Sequence, residues 1–249
     1  MGKTYALSDI HGRYDLLEKI LDFLAPDDKV YFLGDAADRG PDGWKCLTTI
    51  MLDPRFEYIM GNHELMLIDA IKKSYQYEWE YDFTEEYRLL INNGGYDTFY
   101  SWYAEDEERR IWYHQLRSLP YALSYTNTNG DTILLSHAGY TPWYNDTRGS
   151  IKVPCQYDLV WDRNHVLDKP TDEDWYPAFV VHGHTPTVFL AEDIGYRGKR
   201  LEPGAFYYAG GRKICIDNGS VWTGYACLFD LDTFEEHIFE IAEENENEF

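Results

Sequence analysis

The residues of this sequence that could do chemistry recur in one pattern, each closing a short apolar run. Asp9 and His11 stand two apart in "ALSDIHG". Asp35, Asp38 and Arg39 follow "KVYFLG", Asn62 and His63 follow "FEYIMG", His137 follows "DTILLS", and His184 follows "PAFVVHG". An isolated Asp-x-His at a strand-to-helix turn is an ordinary helix cap beside a surface histidine. Its recurrence in kind at four further strand ends changes that reading. Asp9, Asp35, Asn62, His11, His137 and His184 form an oxygen and nitrogen donor set without thiolate, which suits Mn²⁺, Fe or Zn²⁺. These are too many donors for one catalytic ion that must keep a position open for water, and two ions sharing a carboxylate resolve the count.

Such residues need elements that deliver them to one place. Tyr5, Ala6 and Leu7 read as a buried strand, and Leu16, Leu17, Ile20, Leu21 and Leu24 recur at helical spacing. Asp9 and His11 therefore fall on a strand-to-helix turn, where open α/β sheets place their ligands. Helical patterns at Gly43 to Leu52 and Glu64 to Ser74 follow the second and third runs, as strand-helix units of the α/β class require. Near the C-terminus, "RKICIDNGS", "GYACLFDLDT" and "EEHIFEIA" are separated by short turns and read as antiparallel strands of a second sheet. The expected architecture has four layers, two mixed sheets face to face with helices outside. Tyr75 to Leu119 is acidic, aromatic and helical in pattern, and reads as an insertion (about 75–119) beside the site. Residues 1–242 read as a single catalytic domain with no linker composition inside it, and 243–249 as a frayed acidic tail.

The chain has 249 residues, with 22 Lys and Arg against 44 Asp and Glu, a net charge of −22. That field repels phosphate backbones and anionic membranes, so neither nucleic acid nor a membrane is expected as a partner. Cys46, Cys155, Cys215 and Cys227 are scattered singly, as reduced core cysteines are. With no signal-like or membrane-spanning apolar run, a soluble cytoplasmic protein is expected.

The blocks "SDIHG", "GDAADRG", "GNHE", "SHAG", "LVWDR" and "VVHGHTP" resemble those of the PPP-type serine/threonine phosphatases within the calcineurin-like metallophosphoesterases, most closely the compact bacterial and lambda-phage enzymes. Order and spacing agree from Ser8 to Gly224. The resemblance implies the αββα metallophosphoesterase sandwich. It implies that Asp9, His11 and Asp35 hold one metal, that Asp35, Asn62, His137 and His184 hold a second, that His63 and Asp38 form an acid pair, and that Arg39 and Arg163 grip the phosphate. Ala36 and Ala37 replace the Tyr-Val pair of eukaryotic relatives, which touches packing. Pro186 stands where many metallophosphoesterases carry a further His, leaving the first metal one protein ligand fewer. His182 would share a strand face with His184 and is expected to be buried or to support a ligand. His114, His165 and His237 carry no such context, and Gly94 and Gly95 in "NNGG" are expected to be structural.

Two ions about 3.5–4 Å apart activate a bridging water and clamp the oxygens of an in-line displacement. A departing serine alkoxide needs a proton, for which His63, oriented by Asp38, is the candidate. Arg39 and Arg163 present planar donor forks that Lys could not match. The expectation from sequence is a two-metal phosphomonoesterase, with Mn²⁺ as the favoured ion, acting on phosphoserine or phosphothreonine (and on phosphotyrosine) in a phosphoprotein or phosphopeptide. A diadenosine tetraphosphate hydrolase is the alternative, and a non-catalytic scaffold a third. The insertion, through Tyr77, Trp79 and Tyr81, is expected to wall the cleft and help choose the substrate.

Overall fold

The computed structural model describes residues 2–77, 84–105, 108–140, 143–145, 150–152, 156–163, 177–193 and 202–241. The N-terminal half runs β1 (Thr4–Leu7), α1 (Tyr14–Phe23), β2 (Lys29–Phe32), α2 (Gly43–Leu52), β3 (Phe56–Tyr58) and α3 (Asn62–Tyr77), then the helices α4 (Glu85–Asn92), α5 (Tyr96–Ala104) and α6 (Arg109–Arg117). There follow β4 (Ala122–Thr126), β5 (Thr132–Ser136), the ribbon β6 (Trp143–Asn145) and β7 (Ser150–Lys152), and α7 (Gln156–Trp161). The chain closes with β8 (Phe179–His182), α8 (Thr187–Asp193), β9 (Phe206–Tyr208), β10 (Lys213–Cys215), α9 (Ser220–Thr223), β11 (Tyr225–Asp230) and β12 (Glu236–Glu240).

Two five-stranded mixed sheets result, in the orders β12-β11-β1-β2-β3 and β4-β5-β8-β10-β9. The alternation of side chains along each strand builds the layers. On β1, Ala6 faces the opposing sheet, in a core with Ile133, Leu135, Val181 and Ile214, while Tyr5 and Leu7 face the helices, packing with Leu16, Leu17 and Ile20 of α1. On β11, Cys227 and Phe229 face inward between the sheets and Ala226 and Leu228 outward. Outside the second sheet, Cys215 packs with Leu190 of α8 and with Tyr208. This is the four-layer αββα arrangement expected from the sequence.

The C-terminal expectation needs correction. The three closing segments do not share one sheet: β10 joins the second sheet, parallel to β8 and antiparallel to β9, while β11 and β12 join the first sheet beside β1. Short separation in sequence suggested neighbouring strands, yet α9 carries the chain from one sheet to the other. Cys46, Cys215 and Cys227 are buried and free, as expected. The acidic tail and Cys155 lie outside the described residues. Among the described residues no helix is long and apolar enough to cross a membrane.

The aromatic segment supplies helices and, among its described residues, no strand. Its start lies inside α3, which continues to Tyr77. Its Tyr87, Leu90, Phe99, Trp102, Trp112 and Leu116 are buried in the same core as α1 to α3. Of the residues expected to wall the cleft, Tyr77 is exposed at the end of α3, and Trp79 and Tyr81 lie outside the described residues.

Candidate active site

Parallel strands bring their C-terminal ends to one edge. β1, β2 and β3 are mutually parallel in the first sheet, and β5, β8 and β10 in the second. The loops after them carry Asp9 and His11, Asp35 to Arg39, Asn62 and His63, His137, and His184. These turns are tight. Asp9, His11, Asp35, Asp38, Arg39 and His184 all have positive φ, between 45° and 69°. Each left-handed residue costs of order 1 kcal/mol or more, a strain that concentrates at sites held rigid for function. Gly34, at φ +96°, lets the β2 and β3 loops touch, since a Cβ there would lie 2.5 Å from the Cα of Gly61.

Asp35 is the centre. Its Oδ2 lies 3.5 Å from Nε2 of His11 and 3.5 Å from Nε2 of His137. Both imidazoles are turned the same way, because each donates its Nδ1 hydrogen to a backbone carbonyl: His11 to Ala37 at 2.9 Å and His137 to Leu33 at 2.7 Å. Each Nε2 lone pair therefore points at the shared carboxylate. The Nε2 of His137 also faces Oδ1 of Asn62 at 2.8 Å and Nδ1 of His184 at 3.2 Å. Acceptors converging on acceptors are what a cation would reconcile. Asp35, His137 and His184 form one group able to hold an ion, and His11, Asp35 and His63 another.

Electrostatics agrees with that fit. Burial, with the Glu64 and Asp9 carboxylates nearby, pushes Asp35 well above the usual carboxylate range. Burial, with Asp9 beside it, does the same to Asp217. Asp9 contributes less directly than expected: its Oδ1 is 3.9 Å from Nε2 of His11, while its Oδ2 accepts hydrogen bonds from Ser8 and from the backbone N–H of His184.

The acid pair is assembled. His63 Nδ1 and Asp38 Oδ2 are 2.6 Å apart. Burial and the Arg39 cation hold His63 well below the usual histidine range. Burial pushes Asp38 up to about 7, against the Thr98 hydrogen bond and Arg39. Burial thus disfavours the charged form of both members of the pair. Arg39 spans the cluster, one guanidinium nitrogen donating to His11 Nε2 at 2.7 Å and the other to His63 Nε2 at 2.8 Å. Arg163, exposed, donates from Nε to His184 Nε2 at 3.3 Å. Each metal-type cluster is therefore flanked by one guanidinium.

Glu64, Thr98 and Asp217 were not singled out from sequence, whereas Gly94 was expected to be structural. Glu64 is fully buried and accepts hydrogen bonds from the backbone N–H groups of Asp35, Ala36 and Gly61 and from the Tyr58 hydroxyl. Thr98 meets the backbone N–H of Asp38 at 3.2 Å, and Gly94 accepts from that of Arg39 at 3.1 Å, so the α4–α5 turn braces the loop holding the acid pair. Asp217, two residues beyond β10, reaches the same edge as His184. His182, by contrast, is turned to Tyr208 at 2.7 Å and is buried away from the metal-type groups. His114 and His237 lie on α6 and β12, outside those groups, and His165 lies outside the described residues.

Two mixed sheets between helices, with paired His and Asp groups meeting on one carboxylate at the strand ends, define a metal-dependent phosphoesterase architecture. The calcineurin-like phosphoesterase family matches residues 2–221, and the chain belongs to it. It is a hydrolase of that superfamily, whose chemistry depends on divalent metal ions. It is 28% identical over 148 residues to a symmetrical bis(5'-nucleosyl)-tetraphosphatase of Delftia acidovorans, a match covering 57% of this chain and 46% of that protein. The protein of the same name from Legionella pneumophila strain Lens is 30% identical over 89% of this chain and 70% of its own length. Serine/threonine-protein phosphatase 1 of Salmonella typhimurium is 26% identical over 74% of this chain and 78% of its own. Among solved structures, a metallophosphoesterase from Sphaerobacter thermophilus superposes with a TM-score of 0.51 at 16% identity, covering 96% of this chain and 88% of that one.

Proposed function

We propose that this chain hydrolyses dinucleoside tetraphosphates symmetrically, releasing two nucleoside diphosphates. The observation carrying the reaction class is Asp35 Oδ2 placed 3.5 Å from Nε2 of both His11 and His137, a geometry suited to a carboxylate shared by two ions. The substrate class is supported by likeness to symmetrical bis(5'-nucleosyl)-tetraphosphatases along 89% of the chain.

The residues divide the work as follows. Asp9, His11, Asp35, Asn62, His137 and His184 would hold two divalent ions, Mn²⁺ foremost for a donor set of oxygen and imidazole. Bound ions supply charge neutralisation and a nucleophile at neutral pH. Arg39 and Arg163 present donors from either side to non-bridging phosphate oxygens, which requires Arg39 to turn its fork from the two imidazoles to the substrate. With its Nδ1–H held by Asp38 and Nε2 freed from Arg39, His63 can take a solvent proton at Nε2 and deliver it to the leaving oxygen, a transfer that an alkoxide needs more than a phosphate oxygen does.

A second reading, hydrolysis of phosphoserine or phosphothreonine in a protein or peptide, keeps two supports. The Salmonella phosphatase is matched over 78% of its length, and a net charge of −22 works against a strongly anionic substrate. Metal-stripped protein reloaded with Mn²⁺ should cleave diadenosine tetraphosphate to ADP alone, with a higher kcat/KM than for a phosphoserine peptide. A peptide preference, or products of ATP and AMP, would overturn the tetraphosphatase assignment.

A further inference from the structure

Trp222 stands beside the candidate site with 61% of its surface exposed, although burying an indole would stabilise the fold. Its ring lies against Arg39, whose guanidinium carbon is 5.3 Å from the ring centre. Nor does it ride on a loose loop. Ser220, the first residue of α9, donates its hydroxyl to the backbone carbonyls of Asp9 at 2.5 Å and Ile10 at 3.1 Å, tying this helix to the predicted metal-binding turn. Asp217 Oδ1 accepts from the backbone N–H of Gly219 at 2.7 Å, and Trp222 donates its own N–H to the Gly219 carbonyl at 2.9 Å. A large aromatic surface is thus held in advance of binding, next to an arginine expected to grip phosphate, and preorganisation of this kind lowers the entropic cost of association.

We propose that Trp222 is a stacking platform for the nucleobase of a nucleoside polyphosphate whose phosphate is held by Arg39. The naming of a nucleobase rests on the tetraphosphatase reading. The chemistry is general: every base offers a flat π face, and an indole already paired on one side with a guanidinium presents a stack that such a face extends. A phosphoserine side chain carries no ring to place there. Trp222 would therefore make the site prefer a phosphate that ends in a nucleoside over a bare one, without taking part in the reaction.

Two ligands resistant to hydrolysis separate these roles: adenosine 5'-(α,β-methylene)diphosphate and methylenediphosphonate, which differ only in the adenosine. Titration calorimetry on Mn²⁺-loaded protein should show Trp222→Leu weakening the adenosine ligand roughly tenfold or more, since base stacking on an aromatic carries that scale of affinity. Methylenediphosphonate should bind as before, and Trp222→Phe should recover most of the adenosine affinity. Equal weakening of both ligands would mean that Trp222 acts only by positioning Arg39, and no change in either would mean that the ring touches nothing; both overturn the platform. The parent reading is judged separately. Loss confined to the adenosine ligand in a protein that leaves diadenosine tetraphosphate intact would keep the platform and remove the tetraphosphatase assignment. Symmetrical cleavage together with equal losses would do the reverse.

Discussion

Asp9, His11, Asp35, Asn62, His63, His137 and His184 were legible in sequence because each follows an apolar run within a few residues, so local pattern alone locates it. Glu64 lies in the same "GNHE" block, but its task is to accept N–H groups of Asp35 and Ala36, 29 and 28 residues earlier, and only the meeting of the two loops shows it. Asp217 was hidden for another reason: the pairing of β10 with β8, which brings Asp217 to the edge of His184, is set by packing across the molecule. The acid pair gives the sharpest prediction at this scale. His63→Asn should keep the metal-type groups that do not use it, and lower kcat on an alkyl phosphate by about 10²–10⁴-fold. The loss should be far smaller on p-nitrophenyl phosphate, whose leaving group needs no proton, and on diadenosine tetraphosphate, which releases a phosphate oxygen. Steady-state kinetics on the three substrates checks it; equal losses would remove His63 as the proton donor.

Among the elements, strands and helices near the N-terminus were readable because their apolar periods switch from 2 to 3.6 at the turns. The expected helix at Gly43 to Leu52 is α2, residue for residue. The sheet to which β10, β11 and β12 belong was not readable, since pairing partners are set by packing across the molecule. The helical insertion was recognised as a segment beside the site; Tyr87, Phe99, Trp102, Trp112 and Tyr113 prove to be core, while Tyr75, Tyr77, Tyr96, Tyr100 and Tyr103 are exposed. What reaches the site is the α4–α5 turn. Thr98 meets the N–H of Asp38, and a Cβ on Gly95 would press on Leu90 and come within 3.1 Å of Asp38 Oδ2. Thr98→Val should therefore cost about 1 kcal/mol of stability by urea unfolding. It should also lower kcat on alkyl phosphates more than on aryl ones, because a displaced Asp38 weakens His63 as an acid. A change in stability with identical kinetics would confine the insertion to a structural role.

For the molecule as a whole, the chain joins two sheets at an edge where carboxylates are buried together, in a protein already carrying a net charge of −22. Asp35 and Asp217 are both pushed above the carboxylate range, so the fold favours their protonated forms. The sign follows directly. For a group raised on folding, the stability is complete below the unfolded carboxylate pKa, about 4, and is lost as pH rises toward the folded value. Metal-free protein should therefore lose stability as pH rises above about 4, and a divalent cation at the Asp35 cluster should restore it. Mn²⁺ at about a hundred times its Kd contributes about 2.7 kcal/mol, a rise in Tm of roughly 5–10 °C for a chain of this size. That gain should be larger at pH 8 than at pH 5.5, because the buried carboxylates repel more strongly at the higher pH. Diffuse attraction of cations to the acidic surface would also raise Tm, but at 0.15 M salt it is screened beyond about 8 Å. Asp35→Asn separates the two: it should abolish most of the gain, and nearly all turnover, while leaving the surface charge otherwise intact. Thermal unfolding with and without chelator at the two pH values decides. A gain that is the same at both, or that survives Asp35→Asn, would place the ions elsewhere on the molecule.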